Sequence, residues 1–325
     1  MNILFCSAGR RAELLKDFRN SLPCGSRIIA TDMSPYAPAL YFADSHYLVP
    51  SIREEGYLER IVAICRQERV DAITTLIDPE IEVLAQNRKM FEDLGITVLA
   101  PYAETAALCF DKFQLFRHLR ACGIATADTY GSYEDAVEAI RNGTLELPVF
   151  VKPRTGSGSV GARRVYDLDT LRQACEEDPS LIIQELMDCV DMDADVYIDT
   201  ITHEPVSMFT KRKLETKIGG ASKTVSFKDP AAVEFVRNAM KHFSFNGPID
   251  VDLFYKNGQY YLSEINPRFG GAYLHAYGAG VDFVKLIEKN VRGIANEPCF
   301  GNYEENVVMM MYDSVVIQKL DPSEG

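Results

Sequence analysis

The chain has 325 residues, 47% hydrophobic and 25% charged, the composition of an ordinary globular protein with room for two or three lobes. With 34 basic and 47 acidic residues it carries a formal charge of −13, which argues against nonspecific binding to nucleic acid or to an anionic membrane surface. Its eight cysteines are scattered without a Cys-x-x-Cys pair, so buried thiols in a reducing compartment are expected. No run approaches membrane-spanning length, and the apolar stretch at the N-terminus is too short for a signal peptide, so a cytoplasmic chain is expected.

The first hundred residues alternate strand and helix. Short apolar strands are predicted over 2–7, 27–31, 71–77 and 96–100, with helical spacing over 11–21 and 57–68. A further helix after the third strand would be capped by Asp78 and opened by Pro79. This βαβ pattern predicts an open parallel sheet with helices on both faces. The first turn, Ser7-Ala8-Gly9-Arg10-Arg11, lacks the Gly-x-Gly-x-x-Gly spacing of a dinucleotide site, although Asp32 ends the second strand. The lobe therefore reads as a substrate-side domain. One long helix is predicted from about 104 to 122, stopped by Gly123, and Ser132 with Asp135 resembles a capping box.

Chemistry-bearing segments follow. A strand ending at Lys152 leads into Arg154-Thr155-Gly156-Ser157-Gly158-Ser159-Val160-Gly161, where backbone N–H groups can wrap phosphate oxygens; a flexible hairpin is the plainer alternative. This is not a Walker A loop, because the lysine precedes the glycines and a strand follows them. The strand 181–187 breaks at Gln184-Glu185-Leu186-Met187, and Asp191, Asp193 and Asp195 come next, at least two of them expected in a solvated acidic loop. Lys211-Arg212-Lys213 and Lys217 to Gly220 read as a basic loop, either closing over phosphate or simply exposed. Lys112, placed mid-helix, is by itself an ordinary solvated lysine.

Residues 247–271 are the most informative. Asp250 and Asp252 lie on one strand, Glu264 and Asn266 on the next, with Arg268 just beyond Pro267. Side chains alternate along a strand, so each pair shares a face. A two-residue Asn257-Gly258 turn would put Asp252 opposite Ser263 and split the four groups between faces. A three-residue Lys256-Asn257-Gly258 loop pairs Tyr255 with Gln259 and brings all four together. Ile249, Val251, Leu253, Tyr261 and Ile265 then form the core side. The second register is the one expected.

The ordered set, anchored by Ser263-Glu-Ile-Asn-Pro-Arg-Phe-Gly-Gly271, resembles the ATP-grasp superfamily over nearly the whole chain. It is most similar to carbamoyl phosphate synthetase large-chain-like members and related amino-acid ligases. The resemblance implies an α/β N-terminal lobe, an open parallel sheet over 1–105, followed by an α+β ATP-grasp fold of two subdomains over 106–300. The small lobe would cover about 124–187 and the large one about 188–300, leaving 301–325 as a C-terminal segment. It implies ATP and Mg2+, with Mn2+ as a substitute, as cofactors. Lys112 and Lys152 resemble the phosphate-contacting lysines, and Gly156, Ser157 and Gly158 the flap over the phosphates. Gln184, Glu185, Leu186 and Met187 resemble the adenine hinge. Asp191 stands where relatives usually place a ribose-binding glutamate. Asp252, Glu264 and Asn266 resemble the magnesium ligands; Arg268, with Lys211, is expected to act on the transferring phosphoryl group.

The implied reaction is phosphorylation of a small-molecule carboxylate, such as an amino acid, to an acylphosphate that an amine or thiol then attacks. Phosphoryl transfer needs positioning and charge neutralisation more than a protein nucleophile, in keeping with the absence of an obvious catalytic cysteine or histidine. A carboxyphosphate- or carbamate-phosphorylating activity and an ATP-binding regulatory protein without turnover are the alternatives. A homodimer is expected on base rates.

Overall fold

The apolar strands of the first hundred residues assemble into a five-stranded parallel sheet in the order β3-β2-β1-β4-β5. These are β1 (Asn2–Cys6), β2 (Arg27–Asp32), β3 (Ser45–Leu48), β4 (Ala72–Thr75) and β5 (Thr97–Val98). Helix α1 (Ala12–Ser21) covers one face with Leu14, Leu15 and Phe18, and α2 (Tyr57–Glu68) the other with Tyr57, Ile61 and Ile64. The expected α/β lobe is present. The computed structural model describes residues 1–156, 160–217 and 220–319. Among these no helix is long and apolar enough to cross a membrane.

Asp78 starts α3 (Asp78–Gln86), with Pro79 in its first turn, but its side chain does not cap the helix. It reaches instead to Arg268, described below. Helix α4 (Arg88–Glu92) then leads to β5. The single helix expected over 104–122 is two, α5 (Ala103–Phe110) and α6 (Lys112–Ala121). Asp111 breaks them: its backbone is extended, and its carboxylate accepts from the N–H groups of Phe113 and Gln114, both at 3.0 Å. An aspartate offering that alternative can end a run that apolar spacing alone would continue. Gly123 follows α6 with φ +72°, the left-handed stop expected of it.

A second, four-stranded antiparallel sheet has the order β6-β9-β7-β8. It comprises β6 (Thr129–Tyr130), β7 (Val149–Pro153), β8 (Arg163–Val165) and β9 (Leu181–Glu185). Helices α7 (Tyr133–Arg141) and α8 (Leu168–Glu177) pack on it through Ala136, Ala139, Leu171 and Ala174. Ser132 caps α7 by accepting from Asp135 N–H at 3.1 Å, as the capping signal predicts.

The third sheet runs β14-β13-β10-β11-β12-β16, with β15 beside β11. Its strands are β10 (Val190–Ile198), β11 (Pro205–Lys217), β12 (Gly220–Ser226), β13 (Gly247–Lys256), β14 (Gln259–Asn266), β15 (Cys299–Phe300) and β16 (Val308–Met310). Residues 190–198 and 211–217 are thus strand, not the acidic and basic loops expected. The segment after 300 contributes β16 to this sheet, antiparallel to β12. Met192, Ala194, Val196, Ile249, Val251 and Leu253 face α6 and α9 (Pro230–Met240) in one apolar core. Helices α10 (Tyr273–Gly278) and α11 (Phe283–Val291) cross back to α1 and close the first lobe's core.

The β13–β14 hairpin reaches the expected face by another route. Its turn is the two-residue Asn257-Gly258, with φ +53° and +82°, and Lys256 pairs with Gln259. That backbone suits asparagine and glycine in a type I′ turn. The register then shifts between Asp252 and Leu253: Leu253 pairs with Leu262, but Asp252 pairs with Glu264 and Asp250 with Asn266. One extra residue at Ser263 makes a bulge that restores the shared polar face. It also lets Leu262 and Ile265, three apart, both be buried, while the register set by the turn puts Tyr260 rather than Tyr261 on the core side.

Candidate functional site

Strand alternation paves the other side of the third sheet with charge. Asp191, Asp193 and Asp195 on β10 stand beside Lys211 and Lys213 on β11 and beside Asp250 and Asp252 on β13. Glu264 and Asn266 on β14 complete the row. Lys211 has no exposed surface; its ammonium lies 3.0 Å from Asp193 Oδ1 and donates to Asp195 Oδ2. Burial opposes that charge, but Asp193, Asp195 and Asp250 outweigh it and hold the lysine above its ordinary pKa. Burial pushes Asp193 and Asp195 up to about 6 against the pull of Lys211, and Asp250 up to about 7. Lys211, expected to act on the phosphoryl group from a loop, is a sealed strand residue. Its neighbour Lys213 reaches outward to Asp252 Oδ1 at 2.5 Å and Asp191 Oδ1 at 3.1 Å.

The Glu264 end is open. Lys152 Nζ donates to Glu264 Oε1 at 3.2 Å, and Lys112 Nζ lies 4.0 Å from the same oxygen. Lys112, first residue of α6 because Asp111 breaks the helix, also donates to the Gly156 carbonyl at 2.5 Å. Arg154 Nε donates to both Asp111 oxygens at 2.8 Å, which fixes the start of α6 to the glycine segment. Gly156 has φ +102°, a conformation side chains resist. Ser157 and Gly158, expected in the phosphate flap, lie outside the described residues. Asp78, Glu82, Lys112, Gly156, Glu264 and Asn266 line a common cleft.

Of the expected hinge, Gln184 is drawn into the second sheet: it is buried, and its amide donates to Thr129 Oγ1 at 2.8 Å. Glu185 accepts from Asp128 N–H at 3.0 Å, leaving Leu186 and Met187 as the link between β9 and β10. Among the three aspartates only Asp191 is accessible, its side chain 44% exposed, while Asp193 and Asp195 are buried. Arg268 pairs with Asp78 across the lobes, Nε to Oδ1 at 2.7 Å and Nη2 to Oδ2 at 3.2 Å. Burial works against its charge, yet Asp78 raises its pKa further.

The donor set suits magnesium. Asp252 and Glu264 are cross-strand partners, and the Asn266 amide nitrogen lies 3.3 Å from Asp252 Oδ2. Magnesium takes one or two carboxylates and completes an octahedron with phosphate oxygens and water. Among the described residues no group of three His, Cys, Asp or Glu side chains is placed to hold a metal ion by itself. Sequence reasoning placed Lys213 in a loop rather than on a strand between Asp191 and Asp252, and missed Asp78 as the partner of Arg268. The period-two spacing of Lys211 and Lys213 was the available signal for the first; nothing local marks a pair 190 residues apart.

A lysine-lined glycine segment facing a carboxylate-bearing sheet belongs to an enzyme that uses ATP and a divalent cation. Residues 3–99 match the PylC-like N-terminal domain and residues 109–272 the ATP-grasp domain; the chain belongs to the ATP-grasp family. It is an ATP- and magnesium-dependent ligase that works through an acylphosphate. A D-alanine–D-alanine ligase of Nitratiruptor sp. is 23% identical over 272 residues, 76% of this chain and 77% of the relative. A formate-dependent phosphoribosylglycinamide formyltransferase of Flavobacterium psychrophilum is 24% identical over 322 residues, covering 92% and 78%. The solved N5-carboxyaminoimidazole synthetase of Staphylococcus aureus superposes with a TM-score of 0.73 at 17% identity, over 95% of this chain and 81% of that one.

Proposed function

We propose that the chain joins a small-molecule carboxylate, with an amino acid the leading candidate, to an amine, using the charged face of β10–β14 as the phosphoryl-transfer site. The observation that carries this is Glu264, the cross-strand partner of Asp252, which lines the cleft and is met there by Lys152 and Lys112. Lys152 and Lys112 would exchange their contacts with Glu264 for phosphate oxygens, and Gly156 would present backbone to them. Leu186 and Met187 would meet the adenine edge and Asp191 the ribose. Asp252, Glu264 and Asn266 would hold magnesium, which when bound neutralises the phosphate oxygens and orients them. Arg268, steadied by Asp78, would contact the transferring phosphoryl group. Lys211 has a structural part, keeping Asp193 and Asp195 compensated beneath the site. A cytoplasmic homodimer, readable by size-exclusion with light scattering, completes the proposal.

The experiment is ADP release by protein, ATP and magnesium against a panel of amino acids with added amines. Stimulation by one carboxylate is expected, together with its loss, by about 10²–10³-fold, in Glu264→Gln at unchanged folding. Tight ATP binding without stimulation by any acceptor would favour a regulatory protein, and stimulation by bicarbonate alone a carboxyphosphate-forming enzyme.

A further inference from the structure

The strand order of the first sheet reverses between β1 and β4, and open α/β sheets bind ligands beyond the carboxyl ends of their strands at such a point. The loop after β1 carries Arg11, and the turn after β4 carries Asp78. Both meet the segment after β14. Arg11 Nη2 donates to the Phe269 carbonyl at 2.5 Å, and Arg268 Nη1 donates to the same carbonyl at 3.1 Å. Two guanidinium groups from different lobes therefore converge on one oxygen. Asp78 neutralises Arg268, whereas among the described residues no carboxylate lies within 4.0 Å of the Arg11 nitrogens. Burial first, and the Arg268 charge next, pull Arg11 down to about 10. The backbone tie to Phe269 occupies one of the five guanidinium donors. Asp250 and Asp195 favour the Arg11 charge from beyond ion-pair distance, so among the described residues its guanidinium has no carboxylate in direct contact and keeps donors that a substrate carboxylate would take.

We propose that Arg11 is a substrate-binding residue, its guanidinium holding the non-attacking oxygen of the carboxylate that is phosphorylated, across the seam from Arg268. This rests on the ligase reading above. The attacking oxygen forms a bond to the γ-phosphorus as the bond from that phosphorus to ADP breaks, its electron pair leaving with ADP. The oxygen held by Arg11 becomes the acylphosphate carbonyl. It takes up negative charge when the amine nitrogen attacks the acyl carbon, and gives it back as the bond to phosphate breaks and the amine loses a proton to solvent. A fixed guanidinium stabilises that charge without reorganising.

Hydroxylamine, an amine that traps acylphosphates as hydroxamates, removes the need to know the natural nucleophile. With the amino acid most active in the panel, Arg11→Gln is expected to raise its KM roughly 10–100-fold, the worth of charge-assisted hydrogen bonds. The KM for ATP should stay within about twofold, and Arg11→Lys, which keeps the charge, should fall between. Matched thermal unfolding of the three proteins separates binding from misfolding. An unchanged carboxylate KM in folded Arg11→Gln, or a parallel rise in the KM for ATP, overturns the proposal. If Glu264→Gln makes ADP like the wild type, the ligase reading itself fails. If Glu264→Gln is inactive while Arg11→Gln keeps the wild-type carboxylate KM, only the role of Arg11 fails.

Discussion

The two ends of the charged face on the third sheet are built from the same residue types and behave oppositely. Around Lys211 the charges are sealed: the lysine is fully buried and divided between Asp193 and Asp195. Around Glu264 they are loosely matched, with two lysines leaning on one carboxylate oxygen and a cleft beside it. A buried ion pair is costly to break and contributes little net stability, while an accessible one can trade partners at small cost. The contrast separates a foundation from a workplace, although both show as Lys and Asp or Glu at period two.

Three experiments bear on that contrast. The largest effect belongs to Lys211→Met, which removes the cation in direct contact with both Asp193 and Asp195 and should cost about 3–5 kcal/mol in urea unfolding. A loss under about 1 kcal/mol would mean that the sealed end is not sealed. Lys152→Met at the open end should reverse the pattern. We expect a smaller stability loss than in Lys211→Met, because Glu264 is 28% exposed and still has Lys112 at 4.0 Å, and ADP formation down about 10²-fold; equal stability losses in the two variants would erase the distinction between the ends.

The smallest effect concerns Glu80, a buried acid that forms no ion pair among the described residues. It accepts from Thr75 Oγ1 at 2.6 Å and from the Tyr57 hydroxyl, and burial pushes it up to about 8. Its folded pKa lies above the unfolded value of about 4.3. Its contribution to stability is therefore complete below that value and is lost as pH rises through 8. The stability difference between wild type and Glu80→Gln, followed by denaturation from pH 4 to 9, should shrink from the wild type's side over that window. A pH-independent difference would show that burial does not raise Glu80.

Much of this was legible in the sequence, and the misses have physical causes. Apolar periodicity located the helix Tyr57–Glu68 and the parallel strands, because those elements are chosen by what they bury. It could not locate the break at Asp111, where a side-chain oxygen competes with the helix for two N–H groups. The alternation Val190-Asp-Met-Asp-Ala-Asp-Val196 is a plain strand pattern, yet buried aspartates look implausible until Lys211 supplies the charge from another strand. The common face of Asp252 and Glu264 was correctly expected while the turn was not. The spacing of Leu262 and Ile265, three apart and both buried, was the overlooked sign of a bulge.

That bulge makes the site a matter of parity. Each residue added to or removed from a strand exchanges its inside for its outside. The even turn at Asn257-Gly258 alone would put Glu264 opposite Val251 and Asn266 opposite Ile249, on the apolar core side. The single odd residue at Ser263 turns them back toward the lysines. Where the carboxylates point is therefore settled by counting rather than by chemistry, and the count can be shortened by one residue without changing any charged group.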